Sequence, residues 1–154
     1  MKMNDDIIYS QNQSTTDDVY IHLKSCDNQF VPHLSSKVEL NEYSKKIVDK
    51  AIRFEAWDKK ALIGLVAAYC NKLEGFLYIT NVSVEIKYQG VGIAKQLLHS
   101  SIVFANENNL NFIELEVNKK NQNAINLYKK LKFENLKENS ESYFFTYKIN
   151  RNEQ

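Results

Sequence analysis

The segment with the most specific chemical pattern is Gln89–Ala94, in which two glycines are followed at once by a helical pattern. The preceding residues, Tyr78–Val84, favour a buried strand. A strand, a glycine turn and a helix N-terminus together suit an anion, because glycine lets the main chain approach closely and the first helical N–H groups lack carbonyl partners. The segment therefore predicts a site for a phosphate-containing ligand.

Two other phosphate motifs do not fit this segment. A dinucleotide-binding fingerprint needs a third Gly or Ala at position 95, where the chain has Lys95, and no Gly-Lys-Ser/Thr follows as in a P-loop. A glycine turn before a helix can also be only a tight connection, so both interpretations stay open at this point.

The elements that position this segment follow from hydrophobic periodicity and turn signals. We predict strands at 19–23, 52–57, 61–70, 76–84, 111–117, 133–136 and 143–149. We predict helices from a capping box at Ser36 and Glu39 to about Lys50, from 91 to 107, and after Asn121. Residues 1–17 are polar and are expected to form a mobile tail, with an extension of the sheet edge as the alternative for part of it, whereas 18–150 should form a single domain.

Composition excludes several classes of partner. The 154 residues carry a formal net charge of +1, which favours neither nucleic acid nor an anionic membrane. Two distant cysteines and three isolated histidines predict reduced thiols and no metal site. No apolar run has the length of a signal peptide or a membrane span, so we expect a cytoplasmic protein.

A second block lies downstream, with Leu115–Asn118 followed by Asn121-x-x-Ala124-x-x-Leu127-Tyr128. Together with Gln89–Ala94, this block resembles the GNAT superfamily of acyl-CoA-dependent N-acetyltransferases, over roughly residues 54–133. The resemblance implies an α/β (α+β) fold with a mixed, mainly antiparallel sheet, helices on both faces and a splayed central pair of parallel strands. It also implies a bulge near residues 81–83.

The resemblance further implies acetyl-CoA as acyl donor and a set of residues that bind it. These are Val82, Ser83 and Val84 along the pantetheine arm, main-chain N–H groups of Gln89, Gly90, Val91, Gly92, Ile93 and Ala94 at the pyrophosphate, Asn121 at the arm and Tyr128 at the thioester sulfur.

Transfer of an acetyl group to an amine needs a proton acceptor and a proton donor. We assign Glu116 as general base and Tyr128 as general acid. Simpler roles remain open, because Glu116 can only pack beside the cleft, Tyr128 can only fill a helix face, and Asn121 can be a helix cap. Aromatic residues that could meet the acceptor are Tyr43, Phe54, Trp57, Tyr69 and Tyr78. Arg53 and Glu55 could meet a polar acceptor, but we interpret them as a solvated surface pair.

The function expected from these residues is transfer of acetyl from acetyl-CoA to a primary amine of a small metabolite, an amino sugar or a protein N-terminus. One alternative is a non-catalytic module that binds or senses acyl-CoA, and another is a nucleotide-binding α/β protein. We expect acetyl-CoA and an amine as partners, no nucleic acid or membrane, and a monomer or homodimer.

Overall fold

The structure is a computed structural model of the chain and describes residues 6–150. The strands are β1 (Ile7–Gln11), β2 (Ile52–Asp58), β3 (Ala61–Asn71), β4 (Phe76–Val84), β5 (Phe112–Asn118), β6 (Glu134–Glu138) and β7 (Ser142–Lys148). The helices are α1 (Thr16–Cys26), α2 (Leu40–Lys50), α3 (Ile93–Glu107) and α4 (Gln122–Lys130). From residue 52 onward, the predicted strand bounds and the bounds of α3 lie within two residues of the observed ones.

The strands form one seven-stranded sheet in the order β1-β2-β3-β4-β5-β7-β6. All neighbouring strands are antiparallel except β4 and β5, which are joined through α3 and pair in parallel. The predicted mixed, mainly antiparallel sheet with a central parallel pair is confirmed.

Helices cover both faces of the sheet and create two apolar cores. On one face, α3 and α4 pack with the larger core, in which Leu97, Ile125 and Phe145 are almost fully buried. On the other face, α1 and α2 form a smaller core that includes Leu23 and Ile47. Successive strand residues alternate between the cores, so sheet register decides which side chains reach which face.

The N-terminal region differs from prediction in two respects. Residues 7–11 form β1, which pairs with β2 along its length at one edge of the sheet, so over this part the mobile tail is wrong and the edge extension is correct. Residues 1–5 lie outside the described range. The strand predicted at 19–23 lies within α1, because Val19, Leu23 and Cys26 are spaced to form one buried helical stripe.

The start of α2 also differs from prediction. The helix begins at Leu40, and its N-cap is Glu39, whose side chain accepts a hydrogen bond from the Asn41 main-chain N–H at 2.6 Å. Ser36 instead belongs to a short 3-10 turn and donates to the carbonyl of His33. Glu39 therefore caps the helix from the N-cap position, and the predicted capping box with Ser36 is absent from this described segment.

A buried carboxylate explains why the polar N-terminal segment is ordered. Glu55 is fully buried and accepts hydrogen bonds from Ser10 Oγ and Gln13 N, both at 2.8 Å, and from the main chain and hydroxyl of Ser14. Arg53 is also buried and lies 3.4 Å from the carboxylate. The solvated surface pair expected for Arg53 and Glu55 is therefore wrong, because the N-terminal polar groups replace water around them.

No helix within residues 6–150 combines the length and apolar character needed to cross a bilayer.

We expect Glu55→Ala to lower the free energy of unfolding by about 3 to 5 kcal/mol, because it leaves Arg53 buried without its counter-charge. Chemical denaturation measures the change. The matched control is Glu138→Ala, which breaks the Lys119–Glu138 pair at 2.5 Å, whose side chains are 28% and 52% exposed. The control substitution should lower the free energy of unfolding by no more than about 1 kcal/mol. Equal decreases in the two variants would contradict a stabilising role for the buried cluster.

Candidate active site

The central feature of the site is a gap between the two parallel strands. β4 and β5 pair only from Phe76 with Phe112 to Ile79 with Leu115, although β4 continues to Val84 and β5 to Asn118. The strands separate beyond this point, as the prediction of a splayed pair required. Main-chain groups that would have joined a ladder are left facing the gap, where an extended ligand can bind.

A bulge in β4 accompanies the separation. Ala68 pairs with Ile79 but Ala67 pairs with Asn81, so Thr80 is the extra residue, one position before the predicted range of 81–83. The bulge shifts the alternation of the strand by one. Val82 consequently faces the same core as Ile79, and Asn81 faces α1 and α2.

A cleft of about 260 Å³ occupies the gap. Its walls come from β4, from β5, from α4 and from the segment between α1 and α2. The predicted residues that line it are Val82, Glu116, Asn121 and Tyr128. The cleft therefore brings these four residues together at the place where the strands part, although Val82 and Tyr128 are 46 positions apart in the sequence.

Tyr128 enters the cleft from the larger core. It is 6% exposed and packs against Phe133 and Phe145, with ring centroids 5.8 and 6.1 Å away. Burial raises the pKa of its hydroxyl well above the ordinary value for tyrosine. The group is consequently protonated at neutral pH and can donate its proton there.

Glu116 reaches the cleft from the opposite face of the sheet. Its neighbours in β5, Leu115 and Val117, point into the larger core, and Glu116 alternates with them and is exposed. Tyr78 of β4 lies on the same side, where burial followed by the charges of Glu116 and Glu114 raises the pKa of its hydroxyl. A protonated hydroxyl residue from one face of the sheet and an acidic residue from the other thus line the same cleft.

Asn121 has a structural role in addition to lining the cleft. It is the N-cap of α4, and its side-chain oxygen accepts from Ala124 N at 3.2 Å. The cap interpretation of Asn121 is therefore correct, and its side-chain amide nitrogen can still donate to a ligand.

The glycine turn leads from β4 into α3 with both glycines in the left-handed region. Gly90 has φ +85° and Gly92 has φ +89°, and no atom lies within 4 Å of where a Cβ of either would be. Gly92 is the N-cap of α3 and supplies no side-chain cap, and the first turn has no acidic residue. These features leave the positive end of the helix dipole open to an anion.

Close packing holds this turn against the sheet. A Cβ at Gly64 in β3 would lie 2.9 Å from Ile93 Cγ2, so the absence of a side chain there lets the start of α3 approach. The side chain of Gln89 donates to the Val84 carbonyl at 3.0 Å and to Gln29 Oε1 at 2.6 Å. Gln89 therefore braces the turn with its side chain.

The remaining predicted cofactor residues present their side chains elsewhere. Val84 and Ile93 are buried in the larger core, and the Ser83 hydroxyl lies 2.8 Å from His22 Nε2. Any contact of these three with a ligand would therefore use the main chain. Val91 is 42% exposed at the outer side of the turn.

The segment between α1 and α2 is a part of the cleft that sequence patterns do not predict, although its apolar composition is unusual for a loop. Phe30, Val31, Pro32, Leu34, Lys37 and Val38 line the cleft. Asp27 accepts from the Ser35 main-chain N–H at 2.7 Å and from its hydroxyl at 2.6 Å, which closes the segment on itself. The sequence signal for this part of the cleft is a group of apolar residues that follows neither a helical nor a strand period.

The aromatic residues suggested for acceptor contact divide into two groups. Tyr43 and Tyr78 line the cleft. Phe54 is buried in the larger core against Phe104, and Trp57 and Tyr69 pack at the edge of the smaller core. Within residues 6–150, no group of three or more His, Cys, Asp or Glu side chains could hold a metal ion.

Comparison with known families identifies the class of protein to which the chain belongs. A sequence model described as the Acetyltransferase (GNAT) family matches residues 17–133. The chain belongs to the GNAT acetyltransferase family. A search of curated protein sequences found no significant match.

Solved structures share the fold at low sequence identity. NAA60 of Arabidopsis thaliana, in complex with a bisubstrate analogue, is 21% identical with a TM-score of 0.74, and the alignment covers 94% of this chain and 98% of that one. The ribosomal-protein-S18-alanine N-acetyltransferase of Escherichia coli is 16% identical with a TM-score of 0.72, covering 94% and 95%. PaiA N-acetyltransferase of Thermoplasma acidophilum, in complex with coenzyme A, is 12% identical with a TM-score of 0.71, covering 92% and 99%.

We expect Val91→Asp to weaken coenzyme A binding about tenfold, because a carboxylate at the turn would repel a pyrophosphate placed there. Isothermal titration calorimetry measures the affinity. Val103→Asp is the control, since Val103 is 41% exposed against 42% for Val91 but lies farther along α3. An unchanged coenzyme A affinity of Val91→Asp would show that the phosphates do not bind at this turn.

Proposed function

We propose that this protein is an N-acetyltransferase that transfers the acetyl group of acetyl-CoA to a primary amine. The observation that carries the proposal is the gap between β4 and β5, which Tyr128 enters from one face of the sheet and Glu116 from the other. The acceptor nitrogen must lose a proton as it attacks the acyl carbon, and the sulfur must gain one as it leaves, so the two atoms need separate proton-handling groups, which this gap offers.

The chain fits acetyl-CoA as the donor. The open, positively polarised start of α3 suits the pyrophosphate, which main-chain N–H groups from Gly90 to Ala94 would bind. The Gln89 N–H already donates to the Ile86 carbonyl at 3.3 Å, so its contribution would be to shape the turn. The pantetheine arm would run beside Val82–Val84, with the Asn121 amide as a further donor.

When bound, acetyl-CoA supplies the acetyl group as an activated thioester. Glu116 would accept a proton from the acceptor ammonium or amine, directly or through water, so that nitrogen can form the new C–N bond. Tyr128 would give its proton to the sulfur as the C–S bond breaks. A main-chain N–H near Val82 would donate to the carbonyl oxygen as negative charge develops there.

The acceptor side of the cleft carries negative charge and aromatic surface. Glu116 and Glu114 both lie close enough to Tyr78 to affect the pKa of its hydroxyl, and the apolar segment after α1 forms the facing wall. An amine that arrives as a cation would be attracted here and could then lose its proton to Glu116. Small metabolites, amino sugars and protein N-termini all present such a group. The S18-alanine N-acetyltransferase that shares the fold takes, by its name, an alanine amine.

A non-catalytic module that binds acyl-CoA is the second function to test. Such a module needs the glycine turn but has no use for a carboxylate and a buried hydroxyl at the same gap, and this favours the enzyme. Coenzyme A release measured with a panel of primary amines separates the two. Tight acetyl-CoA binding without release under any amine would favour the module.

We expect Tyr128→Phe to lower kcat at least tenfold while coenzyme A affinity changes less than about twofold. The substitution keeps the ring that packs on Phe133 and Phe145 and removes only the proton donor. Steady-state kinetics and calorimetry give the two quantities. An unchanged kcat would show that the hydroxyl is not the acid.

We expect Glu116→Gln to lower kcat/KM for the acceptor by about 10² or more, the usual contribution of a general base, with coenzyme A affinity retained. Glu114→Gln is the matched control, because Glu114 is two residues earlier on the same strand face and also lies near Tyr78. Similar activity in the two variants would mean that Glu116 only contributes charge to the cleft.

A further inference from the structure

A chain of buried side-chain hydrogen bonds lies behind β4, on the side of α1 and α2. Ser83 Oγ donates to Asn81 Oδ1 at 2.8 Å and lies 2.8 Å from His22 Nε2. A serine hydroxyl has one proton, so a donation to Asn81 requires that His22 Nε2–H donates to Ser83. His22, Ser83 and Asn81 are only 1%, 7% and 4% exposed.

The same chain continues to the bulge through Tyr43 of α2. The Tyr43 hydroxyl donates to the Thr80 carbonyl at 2.9 Å and lies 2.8 Å from Thr80 Oγ1. Burial raises the pKa of Tyr43 to about 12, and hydrogen bonds with the side chains of Thr80 and Asn81 act in the opposite direction. Tyr43 therefore keeps the proton with which it satisfies the carbonyl of the bulge residue.

The side chains in this series of hydrogen bonds meet one another only in the bulged register of β4. The extra residue Thr80 turns Asn81 and Ser83 toward α1 and α2, where His22 and Tyr43 meet them, and turns Val82 and Val84 toward the larger core. A slip that removed the bulge would exchange these two sets. It would place two polar side chains in an apolar core and leave the hydrogen-bonding groups of His22 and Tyr43 without these partners.

We propose that His22 and Tyr43 are positioning residues that lock β4 in its bulged register and so hold open the gap that receives the thioester arm. The link to acetyl transfer rests on the proposed function. His22 and Ser83 do not contribute to the walls of the cleft, so they would act on it only through the main chain of β4. His22 is neutral at physiological pH, because burial lowers its pKa to about 4, although main-chain hydrogen bonds at Leu62 and Ser83 act in the opposite direction.

The experiment compares Ser83→Ala with Ser101→Ala. Both serines are at most 7% exposed, but the Ser101 hydroxyl donates to the Leu98 carbonyl within α3, away from the bulge. We expect Ser83→Ala to speed amide hydrogen exchange in β4 about tenfold and to weaken coenzyme A binding about tenfold, as for a broken buried hydrogen bond. Ser101→Ala should change neither.

A second pair of variants tests the donor itself. His22→Leu should reproduce the exchange and affinity changes, whereas His22→Gln retains an N–H donor and should restore both toward wild type. Should Ser83→Ala fail to fold, Tyr43→Phe removes only the hydroxyl at the bulge and should speed exchange around Thr80 and Asn81.

The readouts separate this proposal from the proposed function. Wild-type exchange in β4 of Ser83→Ala and His22→Leu, or equal changes in Ser101→Ala, would overturn the positioning role. Failure of the wild-type chain to bind coenzyme A would overturn the proposed function, while the exchange comparison would still decide whether the chain of hydrogen bonds fixes the bulge.

Discussion

The interruption of pairing between β4 and β5 is the constraint on which the rest of the site depends. A sheet normally satisfies main-chain N–H and C=O groups between strands, and leaving them unpaired in a buried region carries a cost. Here the strands part after Ile79 and Leu115, and the exposed groups border a cleft into which Tyr128 and Glu116 project. These unpaired main-chain groups form the surface on which we propose that the extended arm of acetyl-CoA binds.

Two clusters of buried polar groups keep this arrangement in register. Glu55 and Arg53 bind the segment before α1 to β2, and His22 with Tyr43 binds α1 and α2 to β4. Each cluster is satisfied by partners that lie far away in the chain, so each specifies one packing of the N-terminal third against the sheet. The apolar cores alone would tolerate small slips much better.

Local patterns predicted the second half of the chain well, because its signals are short-range. Alternation in 112–118, the two glycines before α3 and the apolar stripe of α4 each lie within a few residues. The predictions for residues 7–23 were wrong for the opposite reason. Ser10, Gln13 and Ser14 look like a solvated tail until Glu55 is beside them, and Val19–Leu23 fits a strand until its helical stripe packs on β3 and α2.

The sequence by itself determined the family motifs, the strand and helix order after residue 52, and the residue types at the proposed catalytic positions. These follow from backbone preference and periodicity, which neighbouring residues set. The tertiary structure decided that Thr80 is the bulge residue, that Glu116 and Tyr128 enter from opposite faces, and that the segment after α1 closes the cleft. Such features depend on pairing register and on contacts between distant elements, and a one-residue shift reverses the direction of every side chain in a strand.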